Sequence, residues 1–242
     1  MFNISIDLPP VVKNLLIINV LAFLGTLAIQ SSTGIDLTTY LGLHYISSEN
    51  FNLFQLISHM FMHGGFMHLF FNMFALWMFG KSLETVWGAK RFLIYYFVCG
   101  IGAAFLQLLT YYIRIQMILP EIPQDMVNEV IHNGVNVINS GQNYTDPLLG
   151  ELNSLINGTM VGASGAVFGL LLGFGMLFPN TIIYLNLFFP VKAKYFVMIY
   201  GAIELFSGIS ANDNIAHFAH LGGMIFGFIL IKYWKKNSSD FY

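Results

Sequence analysis

Six stretches of this chain are long and apolar enough to cross a bilayer, and no other feature narrows its folding options as far. A helix needs about 20 consecutive apolar residues to span roughly 30 Å of hydrocarbon. Windows of that length fall near residues 12–30, 66–87, 91–113, 160–178, 194–210 and 216–234. Only 9% of the residues are charged, against roughly 25% in a typical soluble domain. Such a chain cannot cover its own surface with polar groups, whereas lipid asks for no such cover. A net charge of -2 without a basic block argues against nucleic acid as a partner. The single cysteine, Cys99, excludes a disulfide framework and a cysteine metal site. The reading is an all-α polytopic membrane protein, one domain over residues 1–242.

Boundaries and orientation follow from punctuation and charge. Pro179 and Asn180 close the fourth span, Pro190 precedes the fifth, and Trp87, Gly88, Lys90 and Arg91 occupy the joint between the second and third. Lys13 followed by Leu15 to Ala28 has some look of a signal peptide, but no clear small-x-small cleavage signal follows. It reads as the first span. With six spans, Lys13, Lys81, Lys90, Arg91, Lys192, Lys194, Lys232, Lys235 and Lys236 fall on one side and only Arg114 on the other. The positive-inside rule then puts both termini in the cytoplasm. The long connections 31–65 and 114–159 lie outside. In the second, Met126, Val127, Val130, Ile131, Gly134 and Ile138 keep a helical period, as do Leu148, Leu149, Leu152, Leu155 and Ile156 behind the cap-like Asp146-Pro147. Two readings stand: amphipathic helices on the membrane or folded over the bundle, and a plain external subdomain.

A polar side chain inside a span is costly and is a functional hypothesis by default. His68 and Asn72 share one face of span two, Ser164 opens span four, and His220 opens span six. Spans two, four and six all start on the outside, so at about 1.5 Å per residue these four side chains share a similar depth. Gly165, Gly169 and Gly173 recur every four residues on span four, and Gly223 and Gly227 do so on span six, which permits close backbone approach. Seen alone, a serine among glycines is packing and a histidine at a helix mouth is an anchor. Together, at one depth, they read as a nucleophile with its base. His68, Asn72 and the free N–H of Ser164 at a helix start supply oxyanion donors.

At these residues the sequence resembles the rhomboid family of intramembrane serine proteases. The similarity runs from about Phe54 to Gly227 and comprises Phe54-Gln55-Leu56, His59, His63-Gly64-Gly65-Phe66-Met67-His68 through Asn72, Gly80 with Glu84, Gly162-Ala163-Ser164-Gly165, and Ala219-His220-Leu221-Gly222-Gly223 with Gly227. The resemblance implies a six-helix bundle, Ser164 as nucleophile, His220 as general base and then acid, and His68 and Asn72 stabilising the oxyanion. It implies single-span membrane proteins as substrates, cut within or next to the span, and no metal or cofactor. Phe54 replaces the commoner tryptophan, and 114–159 is longer than a compact member needs.

Rival readings attach to the same residues. His217 competes for the role of base, but lies about 60° off the glycine stripe. His59 and His63 have the i, i+4 spacing of a metal pair without a third ligand. Glu204 in span five is either a pairing or proton-relay acid or a structural hydrogen-bonding group. The alternative function is a catalytically silent relative that binds membrane proteins, against which the presence of both Ser164 and His220 argues. A transporter would show an inverted repeat, and none is visible. Partners are therefore transmembrane substrates and the bilayer. The expected location is the inner membrane of a bacterial cell, and the sequence sets no oligomeric state.

Overall fold

The structure, a computed structural model, describes residues 8–185, 189–210 and 216–237. It is predominantly helical: α1 (Pro10–Thr33), α2 (Thr38–Leu41), α3 (Gln55–Ser58), α4 (Phe66–Ala75), α5 (Lys81–Ile118), α6 (Gln124–Asn139), α7 (Pro147–Asn157), α8 (Ser164–Leu177), α9 (Ala193–Ser210) and α10 (His217–Asn237). Helix occupies most of each of the six apolar ranges. Among the described residues, Pro10–Thr33 and the continuous run Phe66–Glu121 reach bilayer width by length and composition, and Ser164–Leu177 is a shorter apolar helix.

Two boundaries differ from the sequence reading. The second and third ranges are joined without a loop: α4 passes through a π turn at Leu76–Gly80 into α5, and the interruption is the single residue Gly88 at φ 75°, ψ 164°. Only glycine adopts that conformation cheaply, so one residue does the work of a turn. The fourth helix starts at Ser164 instead of residue 160, because backbone hydrogen bonds to the 34–65 segment draw residues 160–162 away from it. Met160 exchanges two 2.9 Å hydrogen bonds with Leu43, and Gly162 N donates to His59 O at 2.9 Å. Between α8 and α9 the chain also forms a small antiparallel pair, β1 (Ile182–Leu185) with β2 (Phe189–Lys192). Pro190 fits there because a two-stranded ribbon has only edge strands.

The centre of the bundle is α5, α8 and α10, which pack on one another more extensively than any other helices. Missing side chains make this possible. A Cβ added at Gly223 would collide with the carbonyl oxygen of Gly165, one at Gly169 with Cys99 Sγ, and one at Gly165 with the Ala103 methyl. The two glycine stripes meet at one end, Gly165 and Gly169 against Gly223, while Gly173 and Gly227 both face Tyr95 of α5. Tyr95 adds a polar tie, its hydroxyl donating to Gly169 O at 2.7 Å. Glu84 is buried and accepts from Val11 N at 2.9 Å and Val12 N at 2.7 Å. It thereby satisfies backbone donors at the start of α1, where the helix dipole favours a negative charge.

The segment between α5 and α8 forms two packed helices. Asp146 caps α7 by accepting from Leu148 N and Leu149 N at 2.9 and 3.0 Å, as its position before Pro147 suggested. The apolar faces of α6 and α7 meet over Val127, Val130, Leu152, Leu155 and Ile156, with Tyr45 and Ile115 below them. They are folded against α5 and the 34–65 segment, which closes the choice left open by the sequence in favour of helices that cover the bundle.

Candidate active site

Ser164 is the first residue of α8, so its backbone N–H is one of the donors with no intrahelical partner. Its side chain meets α10 across the glycine contact: His220 Nε2 lies 3.0 Å from Ser164 Oγ. On the opposite ring edge His220 Nδ1 is 2.9 Å from Glu204 Oε2, brought in by α9. The imidazole stacks on Phe168, centroids 4.1 Å apart and planes 6° apart. Phe168 lies one turn after Ser164, so α8 carries both the serine and the plate that fixes the histidine's plane. Gln107 of α5 accepts from Ala219 N at 3.0 Å and holds the mouth of α10 beside this site.

His217 also bonds Glu204 Oε2 through Nδ1, at 2.7 Å. Of the two histidines, it is His220 that reaches Ser164. Glu204, His217 and His220 each offer one ligand atom within 4.8 Å of the others, spacing compatible with a metal ion. The two hydrogen bonds satisfy Glu204 Oε2 without one.

His68 and Asn72 line the same cavity as Ser164 and His220. Gly162, at φ 127°, makes room for His68: a Cβ there would lie 2.8 Å from His68 Nε2 and 3.6 Å from Ser164 Oγ. Asn72 Nδ2 donates to His68 O at 2.9 Å, a bond along its own helix that leaves the amide one further hydrogen. The cavity, of about 1440 Å³, extends from these four residues past Gln107 and Tyr111 to Arg114 and Glu151 under α7. Arg114 and Glu151 are paired at 2.7 Å.

The i, i+4 pair His59 and His63 is held by different neighbours. His59 is buried, its Nδ1 lying 2.7 Å from Gln55 O, and burial pushes its pKa down to about 4. His63 packs edge-on against His68 at 5.2 Å, and burial, with His68 adding to it, also lowers it to about 4. Gln55 is fully engaged: Nε2 donates to Tyr40 O and Asn50 O at 3.0 and 2.8 Å, and Oε1 accepts from His44 N and Asn52 N at 3.3 and 3.1 Å. The sequence alone singles out neither Phe168 nor Gln107, names Gly162 only as part of the serine motif, and leaves Glu204 between two roles. Gln107 was findable by the rule that found Ser164, since it too is polar inside a span.

The rhomboid domain model matches residues 50–114 and 128–236. The chain belongs to the rhomboid family and is an integral membrane protein. Similar proteins include YdcA of Bacillus subtilis, provisionally named a rhomboid protease, 28% identical over 73% of this chain and 64% of its own. Rhomboid protein 1, mitochondrial, of Saccharomyces cerevisiae is 29% identical over 79% of this chain and 44% of its own length. RHOMBOID-like protein 4 of Arabidopsis thaliana is 28% identical over 73% and 32%. The chain thus spans between about a third and just under two thirds of these relatives.

Proposed function

We propose that this chain is an intramembrane serine endopeptidase that cleaves single-span membrane proteins within or next to their membrane segment. The observation that carries the reading is the 3.0 Å contact between Ser164 Oγ and His220 Nε2 at the mouth of two glycine-packed helices. In this reading 1–242 is one membrane domain of six spans. Both termini face the cytoplasm of a bacterial cell, and the Ser164 end of the bundle faces outward.

His220 Nε2 takes the Ser164 proton as the oxygen attacks the scissile carbonyl, then returns it to the leaving amine. The oxyanion is met by Ser164 N–H, His68 and the remaining Asn72 hydrogen. Water hydrolyses the acyl-enzyme by the same route. A helical peptide bond is shielded by its own hydrogen bonds, so the substrate unwinds before attack. The large cavity running to Arg114 and Glu151 offers space for an opened strand.

The test is labelling of detergent-purified protein by a fluorophosphonate probe. Wild type is expected to label, and Ser164→Ala and His220→Ala to lose at least about three orders of magnitude in rate, as for loss of a triad member. Asn72→Ala is expected to lose roughly ten- to a thousandfold, the cost of one oxyanion donor. Folded wild type that does not label, or Ser164→Ala that labels equally, overturns the reading in favour of a silent, substrate-binding relative.

A further inference from the structure

We infer that Glu204 is the positioning residue of this site, an acidic third member that α9 delivers to His220 and that makes the arrangement Ser164–His220–Glu204. The inference rests on the hydrolytic reading above and adds to it a residue on a helix outside the motifs that pointed to the serine and histidine.

The argument begins with protons. An ionised carboxylate only accepts hydrogen bonds, so Glu204 Oε2, 2.9 Å from His220 Nδ1, selects the tautomer that carries its hydrogen on Nδ1. That leaves Nε2 as a bare acceptor facing Ser164 Oγ at 3.0 Å, the protonation state a base must have before it removes a proton. The opposite tautomer would put N–H toward the serine and disable it. Phe168 fixes the plane of the ring, but a ring in a fixed plane can still flip by about 180° about Cβ–Cγ and exchange its two edges. Bonds at both nitrogen edges remove that freedom. Glu204 is itself held from the far side by His217 Nδ1 at 2.7 Å, so the histidine set aside as base contributes by anchoring the acid. A carboxylate this buried needs such partners, since its charge is otherwise expensive inside a membrane helix.

When Ser164 gives up its proton, His220 becomes an imidazolium, and the carboxylate stabilises that charge without taking the proton. Glu204 therefore touches neither substrate nor reacting atoms, and acts through the histidine.

The experiment measures fluorophosphonate labelling of the full chain in detergent, resolved into the inactivation rate at saturation and the probe concentration giving half of it. Glu204→Gln is expected to lower the saturating rate by about 10² to 10⁴, the range up to that seen when a buried orienting carboxylate becomes an amide, with the half-saturating concentration changed less than about threefold. Glu204→Asp is expected to recover at least about tenfold over the glutamine variant, because it restores an acceptor-only group. In parallel, proton NMR of histidine-labelled wild type is expected to show downfield imidazole Nδ1–H resonances, assigned by their loss in His217→Phe and His220→Phe. That measurement needs no change at Glu204 and stands even if Glu204→Gln does not fold. A folded Glu204→Gln that labels within about threefold of wild type, or folded wild type without a His220 Nδ1–H resonance, overturns the inference. If Ser164→Ala labels like wild type, the hydrolytic reading itself has failed, which is a different result from either.

Discussion

Between α5, α8 and α10 the chain meets itself through side chains that are absent, whereas over the outer segments side-chain amides tie the backbone together beside an apolar seam. In the inner region Gly165, Gly169 and Gly223 let backbones approach, and the central polar tie is Tyr95 to Gly169 O. In the outer region a relay runs from Ser48 to Asn157, on to Asn153 and then to Asn143, at 3.1, 2.9 and 3.0 Å, and Gln55 gathers four backbone groups of the 34–65 segment. The contrast follows from the solvent. In hydrocarbon a helix already satisfies its own backbone, so association depends on contact area and close approach. Irregular backbone outside the helices carries donors and acceptors that must be paired one by one. The site lies at the border: Ser164 and His220 come from glycine-packed helices, and Gly162 and His63 come from the amide-tied outer segment.

This division can be broken in four places. The largest effect is expected from Gly223→Val. Its Cβ would enter the Gly165 carbonyl, so the helices must part, at a cost at or above the ~3 kcal/mol upper range of overpacking. Thermal unfolding in detergent checks it, and a variant as stable as wild type would mean that the glycine contact is not what holds α8 to α10. Next is Gln55→Leu, which strands two carbonyls and two N–H groups and is expected to cost about 2–3 kcal/mol. Limited proteolysis between residues 34 and 65 should rise while the inner bundle survives, and simultaneous loss of both would merge the two regions into one cooperative unit.

The third is a change of pH. His59 and His63 titrate near 4 when folded, both lowered by burial, and near 6.5 when unfolded. Because the unfolded chain binds the protons more readily, stability is complete above about pH 6.5 and falls as pH drops toward 4, by on the order of 1 kcal/mol per histidine at pH 6. A midpoint in detergent that does not move between pH 7.5 and 6, or one equally sensitive in the His59→Gln variant, would contradict this. The smallest effect is expected from Arg114→Ala. Its pair with Glu151 is half exposed, and such pairs contribute less than about 1 kcal/mol. A larger shift would make α7 more dependent on charge than its apolar seam suggests.

The helices were legible in the sequence because each range is predominantly apolar, and the gathering of Ser164, His220, His68 and Asn72 around one cavity was legible because a polar atom in such a range has no innocent solvent to face. What escaped was pairing at long sequence distance. Nothing local to Glu204 shows that α9 turns it toward α10, 16 residues on. Nor does the periodicity of residues 160–163 reveal that Leu43 pulls them out of the helix. Phe168 was readable in principle, since a position one turn after the serine shares its face. It passed unnoticed because an aromatic in an apolar span carries no mark of its own.

That stacked phenylalanine has a stereochemical consequence. With its ring pressed flat on Phe168, His220 offers its Nε2 lone pair only along the plane of the ring. In the proposed reaction, the oxygen that gives the proton and the nitrogen that receives it would both have to visit that one plane. A bound peptide would then present its leaving nitrogen from a single side, with the chain crossing the edge of the histidine and not its face. The orientation in which a strand would thread this site, and hence which carbonyl face the serine would meet, would be set by a hydrophobic side chain that does no chemistry.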